Sequence, residues 1–200
     1  VAPRSYFAPF KPYSRLTLPP KREGDWEDIP KAGINYCTSE NMKMDLRRQK
    51  KALGGYYASV SYPDAQVGKV LDALDETGLT NRTIIVFTSD HGYHLGEHTF
   101  WEKGNLREEV TRVPVILTAP GIKPGRSRSI IELVDLYPTL ATLAGLSIPN
   151  TVQGSLLQPI IENPQTSVKP GALSFVGRGT SLRTPGWHYA RYKDESEELY

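Results

Sequence analysis

The residues most capable of chemistry in this chain lie between Asp90 and Lys103. Asp90 and His91 follow directly after an apolar run, and Lys103 comes one loop later. A carboxylate oxygen is a hard ligand of the kind that Ca²⁺ and Mg²⁺ prefer, and imidazole is a common metal ligand. An ammonium group attracts the anion that such a cation would hold. These residue types predict a metal ion at Asp90 and His91, with an anion placed to meet Lys103.

The elements around this segment indicate how a fold would position it. Residues 83–89 are apolar and β-branched, which predicts a strand buried on both faces, as is typical of a parallel sheet. Ligands bind in open α/β sheets at the carboxyl ends of such strands, and Gly92 is expected to let the backbone turn sharply there. A strand predicted at 113–119 and a helix at 132–144 complete the alternation of a layered α/β fold.

A long helix is predicted before this strand, because apolar residues recur there at helical spacing. The predicted core-facing stripe consists of Leu46, Leu53, Tyr57, Val60, Val67, Val70, Leu71 and Leu74. Pro63 predicts a kink or break, after which Ser61 and Asp64 could restart the helix as a capping box. Gly78 follows the predicted end of the helix.

Residues 1–165 are predicted to belong to one domain, within which residues 1–42 form an extended surface segment. The segment is dense in proline and aromatic residues and shows little periodicity. Residues 166–200 carry short strand candidates at 172–176, 180–183 and 187–192, separated by turns that contain glycine. They predict the beginning of a small antiparallel subdomain.

Simpler interpretations of the candidate metal-binding and anion-binding residues remain open at this point. The tripeptide Asp90-His91-Gly92 could be an ordinary turn, in which the aspartate caps the next element and the histidine bonds to backbone. Lys103 could be a solvated surface lysine, which is the usual fate of that residue type.

The whole string from Ser89 to Lys103 carries more information than the tripeptide. It reads Ser-Asp-His-Gly at 89–92, Leu-Gly-Glu-His at 95–98 and Trp-x-Lys at 101–103. This wording resembles the metal-ligand and sulfate-contact segment of the sulfatases, members of the alkaline phosphatase superfamily, and within them the iduronate-2-sulfatase-like branch. Residues 56–74, 112–117, 132–145, 153–159 and 198–200 resemble further segments of that branch in the same order.

The resemblance implies an alkaline-phosphatase/sulfatase-like α/β fold, a layered sheet with helices on both faces. It implies that Asp90 and His91 bind a divalent metal, for which Ca²⁺ is the expected ion, and that Lys103 contacts a sulfate oxygen. His94 and His98 are weaker candidates for lining the pocket. The implied substrate is a sulfated small molecule or glycan, and the implied location is secreted, periplasmic or lysosomal.

The formylglycine nucleophile of sulfatases arises from a Cys or Ser in a Cys/Ser-x-Pro-x-Arg motif, which these 200 residues do not contain. The only cysteine, Cys37, lacks both the proline and the arginine and is predicted to be an incidental or buried thiol. The resemblance therefore implies that the chain is the later part of a sulfatase, with the formylglycine and the leaving-group acid upstream of Val1. The 200 residues alone are expected to be inactive.

Composition gives little reason to expect other classes of function. A net charge of +2, from 24 basic and 22 acidic residues, does not indicate a nucleic-acid partner. No apolar run approaches the roughly 20 residues needed to cross a bilayer. Asn81 begins a glycosylation sequon, for which an unmodified turn asparagine is the simpler interpretation. The sequence does not indicate an oligomeric state.

Two other functions remain open. A zinc-dependent phosphatase or phosphodiesterase of the same superfamily is one, because imidazole suits zinc better than calcium. Against it stands Lys103 with its flanking residues, which those zinc enzymes do not typically show. The other is a truncated, non-catalytic module that keeps the metal carboxylate and has no activity.

Overall fold

The structure is a computed structural model that describes residues 2–34 and 36–200. Val1 and Asn35, both in the predicted surface segment, lie outside the described residues. The chain divides into two compact units. We call them the helical unit (Val1–Ile29, Ile34–Thr80 and Tyr93–Gly104) and the sheet unit (Pro30–Gly33, Asn81–Gly92 and Asn105–Tyr200). Within the described residues, no helix combines the length and apolar character that crossing a bilayer requires.

The helical unit is built on one long helix, α1 (Leu46–Glu76). It begins where the Asp45 carboxylate accepts a hydrogen bond from the Arg48 backbone N–H at 2.7 Å, and it ends before Gly78, whose φ is +68°. Pro63 lies inside α1 without ending it, so the predicted break is wrong. Ser61 does not cap a second helix, because its hydroxyl donates to the Tyr57 carbonyl oxygen one turn earlier, at 3.0 Å.

Two short 3-10 helices, Arg4–Phe10 and Tyr13–Arg15, pack across α1. The ring of Tyr6 meets that of Tyr62 edge-on at a centroid distance of 5.2 Å. Gly54 lies under the ring of Tyr13, where an added Cβ would be 2.5 Å from Tyr13 Cδ1. The Pro- and aromatic-rich segment is therefore held by aromatic contacts and by close backbone approach.

The predicted apolar stripe of α1 is only partly buried. Leu53 is 1% exposed, whereas Val60 and Val70 are 52% and 63% exposed. The prediction of a continuous core-facing stripe is wrong for these valines. Helical spacing places apolar residues on one side of a helix, but the packing partners decide how much of that side is covered. The helical unit also contains the two-residue strands β2 (His94–Leu95) and β3 (Trp101–Glu102), which pair antiparallel.

In the sheet unit, β1 (Ile85–Thr88) pairs with β4 (Val115–Thr118). The pairing is antiparallel, and Phe87 faces Ile116 in the register. These two side chains are 47% and 61% exposed. The prediction of a parallel strand buried on both faces is therefore wrong for β1 in the described residues. An apolar, β-branched run favours a strand, but it contains no information about the direction of the neighbouring strand.

Three short helices belong to this unit: α2 (Glu108–Thr111), α3 (Leu136–Leu143) and α4 (Gln158–Glu162). The predicted helix at 132–144 is present as a 3-10 turn, Leu133–Asp135, followed by α3. It begins with a capping box between Glu132 and Asp135. The Lys169 ammonium donates to Asp135 Oδ1 at 2.8 Å and also to Glu132.

The other 3-10 turns of the described residues, taken over both units, are Lys31–Gly33, Thr80–Arg82 and Glu97–Thr99.

The C-terminal sheet has four antiparallel strands in chain order: β5 (Ala172–Val176), β6 (Gly179–Arg183), β7 (His188–Tyr192) and β8 (Glu197–Leu199). Its inner face carries a buried ion pair in which Arg107 Nη2 lies 2.6 Å from Glu198 Oε2. The hydroxyls of Tyr192 and Tyr200 donate to the same carboxylate. The predicted antiparallel C-terminal strands are confirmed, and a buried polar network joins them to Arg107 at the start of α2.

Candidate active-site segment from Asp90 to Lys103

Asp90 and His91 form a tight turn directly after β1. The Ser89 hydroxyl donates to the His91 carbonyl oxygen at 2.8 Å, and the His91 backbone N–H donates to Asp90 Oδ1 at 3.0 Å. These local bonds hold the turn while the Asp90 side chain stays 86% exposed. The carboxylate is therefore oriented by the turn and accessible from solvent.

The imidazole of His91 is held by its own neighbour. Its Nδ1 lies 2.8 Å from the Gly92 carbonyl oxygen. Because that oxygen can only accept, Nδ1 carries the proton, and in the neutral ring Nε2 then carries the lone pair. Metal-binding histidines are commonly oriented by such a bond from the second nitrogen.

Asp90 and His91 fit two positions in the shell of one divalent cation. His91 Nε2 lies 3.6 Å from Asp90 Oδ2. Two atoms that each bind one ion at about 2.0–2.5 Å lie roughly 3–4 Å apart. Across residues 2–34 and 36–200, no group of three or more His, Cys, Asp or Glu side chains forms a metal site. The described residues therefore do not form a complete metal site.

Gly92 allows this turn to pack closely against α2. Its φ is not positive, so the turn does not use the left-handed backbone that glycine permits. Its N–H donates to the Val110 carbonyl oxygen on α2 at 2.7 Å. A Cβ added at Gly92 would lie 2.0 Å from the Glu109 carbonyl oxygen. Only glycine lets the turn that carries Asp90 and His91 lie directly on the backbone of α2.

The loop that carries Lys103 belongs to the helical unit and has an unusual backbone. His98, Thr99 and Glu102 have φ values of +52°, +63° and +63°. Residues other than glycine rarely adopt such values, and those that do are held there by surrounding contacts. Lys103 is exposed and lies between Glu102 and Gly104, whose φ is +102°.

The two other histidines of the segment, His94 and His98, contact other residues of the helical unit. His94 is fully buried and packs edge-on against Phe100, with ring centroids 5.5 Å apart. His98 Nδ1 lies 2.8 Å from the carboxylate of Asp25. The structure therefore places His94 inside the unit and pairs His98 with an acidic residue.

Asp25 and Trp26 contact the candidate segment, although the sequence did not indicate this. Trp26 Nε1 donates to the His98 carbonyl oxygen at 2.6 Å, and the indole stacks on Phe100 at a centroid distance of 5.6 Å. Together with the bond from Asp25, these contacts fix the strained loop that leads to Lys103. The partners are more than 70 residues apart in the chain, so no local pattern could have revealed them.

The only cysteine lies on the same unit but is not activated. The Cys37 thiol donates to Glu102 Oε2 at 3.4 Å. Burial raises the pKa of this thiol above its ordinary value, and the hydrogen bond and negative charge of Glu102 raise it further. The thiol is therefore protonated at neutral pH, which is the opposite of what a nucleophilic cysteine requires.

Comparison with known proteins places these residues within a recognised sequence pattern. The model of the family described as Sulfatase matches residues 10–146. Iduronate 2-sulfatase of Homo sapiens is 44% identical over 161 residues, which cover 66% of this chain and 29% of that protein. This chain spans well under half the length of the curated relatives it matches.

Solved structures share the fold. One, in complex with its substrate D-glucosamine-2-N,6-O-disulfate, superposes with a TM-score of 0.72 at 30% identity over 81% of this chain and 37% of its own. A phosphonate monoester hydrolase from Silicibacter pomeroyi superposes with a TM-score of 0.86 at 24% identity over all of this chain and 46% of its own. The predicted layered α/β fold with its C-terminal antiparallel sheet is confirmed.

Proposed function

This chain belongs to the sulfatase family, and we propose that the protein hydrolyses a sulfate ester, with the segment from Asp90 to Lys103 as part of its active site. The observation that carries this proposal is the family match over residues 10–146, which includes the whole segment. The turn at Asp90 and His91, which presents two metal-compatible atoms 3.6 Å apart, supports it independently.

The chemistry of a sulfate ester explains the roles proposed for these residues. The peripheral oxygens of the ester repel a nucleophile, so fixed positive charge is needed where negative charge gathers in the transition state. A bound divalent cation supplies such charge as a Lewis acid. Asp90 would hold it through a carboxylate oxygen and His91 through Nε2, while the Lys103 ammonium would neutralise a further sulfate oxygen.

We propose that the sulfate ester belongs to a carbohydrate. Two similar proteins support this class of substrate. One is an iduronate 2-sulfatase, and the structure of the other was solved with a disulfated glucosamine as its substrate. In this chain Gly104 directly follows Lys103, where the iduronate-type enzyme has an aromatic residue, so we do not extend its sugar specificity to this protein.

The nucleophile that we propose, a formylglycine, does not come from Cys37. Cys37 lacks the Pro and Arg neighbours of the motif from which formylglycine arises. We therefore expect residues 1–200 alone to show no sulfatase turnover. Metal-dependent hydrolysis of an aryl sulfate by this polypeptide would contradict that expectation.

The proposal is tested by single substitutions in the active enzyme. Lys103→Ala and Asp90→Asn should each lower kcat/KM for a sulfate ester by at least about a hundredfold, the scale of losing one preorganised electrostatic contact. Lys51→Ala, an exposed lysine on α1, is the matched control and should leave kcat/KM unchanged. A loss under about threefold at Lys103 would mean that this lysine is an ordinary surface residue.

A zinc-dependent phosphatase or phosphodiesterase is the second candidate, and the lone pair on His91 Nε2 favours it. Rates on matched sulfate and phosphate esters, measured after reconstitution with Ca²⁺ or Zn²⁺, distinguish the two activities. Preference for the phosphate ester with zinc would replace the sulfatase proposal. No turnover of either ester by the complete enzyme would favour the third possibility, a non-catalytic module.

A further inference from the structure

Helix α2 connects the Asp90–His91 turn with the C-terminal sheet, and all three lie within the sheet unit. The Val110 carbonyl oxygen accepts the Gly92 N–H at 2.7 Å, and the backbone of Glu109 approaches Gly92 so closely that no Cβ would fit. A helix of only four residues is not stable by itself. Contacts that fix the position of α2 therefore also fix the turn that carries the two proposed metal ligands.

Arg107 holds α2 on the side of the C-terminal sheet. Its carbonyl oxygen accepts a hydrogen bond from the Val110 N–H at 2.9 Å. Its guanidinium donates to Glu198 Oε2 and to the Tyr200 hydroxyl, both at 2.6 Å, and lies 4.8 Å from the centre of the Tyr200 ring. Val110 thus bonds to Arg107 through its N–H and to Gly92 through its carbonyl oxygen. A continuous series of hydrogen bonds joins the C-terminal sheet to the turn.

The chemistry of this anchor favours orientation over stability. The side chains of Arg107 and Glu198 are 9% and 2% exposed, so both charges are removed from water. Such a buried pair gives little net stability compared with apolar residues of similar volume. A guanidinium, however, is a rigid planar fork whose hydrogen bonds fix both distance and direction. The network therefore determines where α2 lies more than it determines how stable the fold is.

We propose that Arg107 is a positioning residue of the active site. It fixes α2 against the C-terminal sheet and thereby holds the Asp90–His91 turn in the geometry that binds a divalent cation. The inference rests on the proposed function and deepens it. It gives the C-terminal sheet a part in that function, because β8 supplies Glu198, the carboxylate that holds the guanidinium.

A double variant of the complete enzyme with unchanged net charge tests the proposal. Arg107→Met/Glu198→Gln removes both buried charges but keeps an amide oxygen that can accept hydrogen bonds from the neighbouring tyrosine hydroxyls. The matched control is Lys169→Met/Asp135→Asn. It removes another ion pair of the sheet unit, with an N–O distance of 2.8 Å, and neither of its residues lies in α2.

Two measurements report on the turn itself. Hydrogen exchange of the Gly92 amide, followed by mass spectrometry, should be about tenfold faster in the Arg107 variant than in the control, the scale of losing one hydrogen bond. The calorimetric affinity for Ca²⁺ should be at least about tenfold weaker, as is typical when a group that orients a metal ligand is lost. Excess Ca²⁺ should restore the hydrolysis rate, because no group that contacts the substrate has been removed.

The outcomes separate the role of Arg107 from the activity. Equal exchange rates of the Gly92 amide in the two variants would overturn the proposal. Faster exchange with unchanged Ca²⁺ affinity would overturn it as well, because the turn would then move without affecting the metal ligands. Faster exchange and weaker Ca²⁺ binding in an enzyme whose wild type hydrolyses no sulfate ester would instead overturn the proposed function and leave the role of Arg107 supported.

A milder substitution covers the case in which the double variant does not fold. Arg107→Lys keeps the positive charge but loses the planar fork that reaches Glu198 and Tyr200 together. It should speed exchange of the Gly92 amide and weaken Ca²⁺ binding at least about threefold, the lower range expected for one hydrogen bond. Exchange and affinity equal to those of the wild type would overturn the proposal.

Discussion

Gly92→Ala is the substitution that tests most directly how the Asp90–His91 turn is held. The added Cβ would lie 2.0 Å from the Glu109 carbonyl oxygen and 3.2 Å from the Cα of Val110. Cβ atoms essentially never approach a heavy atom closer than 3.0 Å, so the turn and α2 must separate by about 1 Å. That movement stretches the 2.7 Å hydrogen bond from the Gly92 N–H to Val110.

The expected cost follows from these two effects. Loss of one buried hydrogen bond costs about 0.5–1.5 kcal/mol, and overpacking typically costs about 1–3 kcal/mol. We therefore expect Gly92→Ala to lower the free energy of unfolding by about 2–4 kcal/mol, a large part of the roughly 5–15 kcal/mol typical of a folded protein. The affinity for the proposed metal ion should fall as well, because the Gly92 carbonyl oxygen also holds the imidazole of His91.

Urea denaturation of the variant and the wild type measures the change in stability. Gly68→Ala is the matched control, since no heavy atom lies within 4 Å of an added Cβ at that position of α1. It should stabilise the protein by about 0.5–1 kcal/mol, because alanine favours a helix interior over glycine. If Gly92→Ala unfolds within about 0.5 kcal/mol of the wild type, the close packing of this turn on α2 does not hold it, and the reasoning is wrong.

Three further predictions concern other contacts. Gly54→Ala should destabilise the protein by about 1–3 kcal/mol through its aromatic clash, while Gly55→Ala, with open space around it, should stabilise it by about 0.5–1 kcal/mol; equal effects in urea denaturation would contradict this. Glu102→Gln should lower the pKa of Cys37 and speed its reaction with an aromatic disulfide at least about twofold at pH 8, whereas an unchanged rate would mean that Glu102 does not hold the thiol protonated. Burial, above all, lowers the pKa of His188, so the unfolded state takes up a proton first as the pH falls below the ordinary value of 6.5. The free energy of unfolding should therefore decrease between pH 7 and pH 5, and His188→Gln should flatten this dependence; an equally steep profile in the variant would refute it.

Much of the secondary structure was predictable because it depends on local patterns. The end of α1 before Gly78 was predicted from residues within one turn of that boundary. The strands of the C-terminal sheet, three of which were predicted, lie between short turns. The sequence motif at residues 89–103 also identified the family without any structure, because it is long and its residues have fixed spacing.

Gly54 and Gly55 show where such prediction stops. They are adjacent and identical, and both lie within α1, yet an added Cβ meets the ring of Tyr13 at one and open space at the other. The sequence could not separate them because Tyr13 is about 40 residues away in the chain. The same limit applies to the direction of β1 and to the exposure of Val60 and Val70, since both depend on which distant segment packs against them.

The candidate site combines both kinds of information. The sequence by itself determined which residues can do chemistry, because residue type sets ligand hardness and charge, and it fixed their order along the chain. Only the tertiary structure decided how Asp90 and His91 are held, through the packing of Gly92 on α2, and how Asp25 and Trp26 fasten the loop before Lys103. The physical reason is that side-chain chemistry is a property of each residue, whereas position and orientation arise from close packing and hydrogen bonds between segments far apart in the chain.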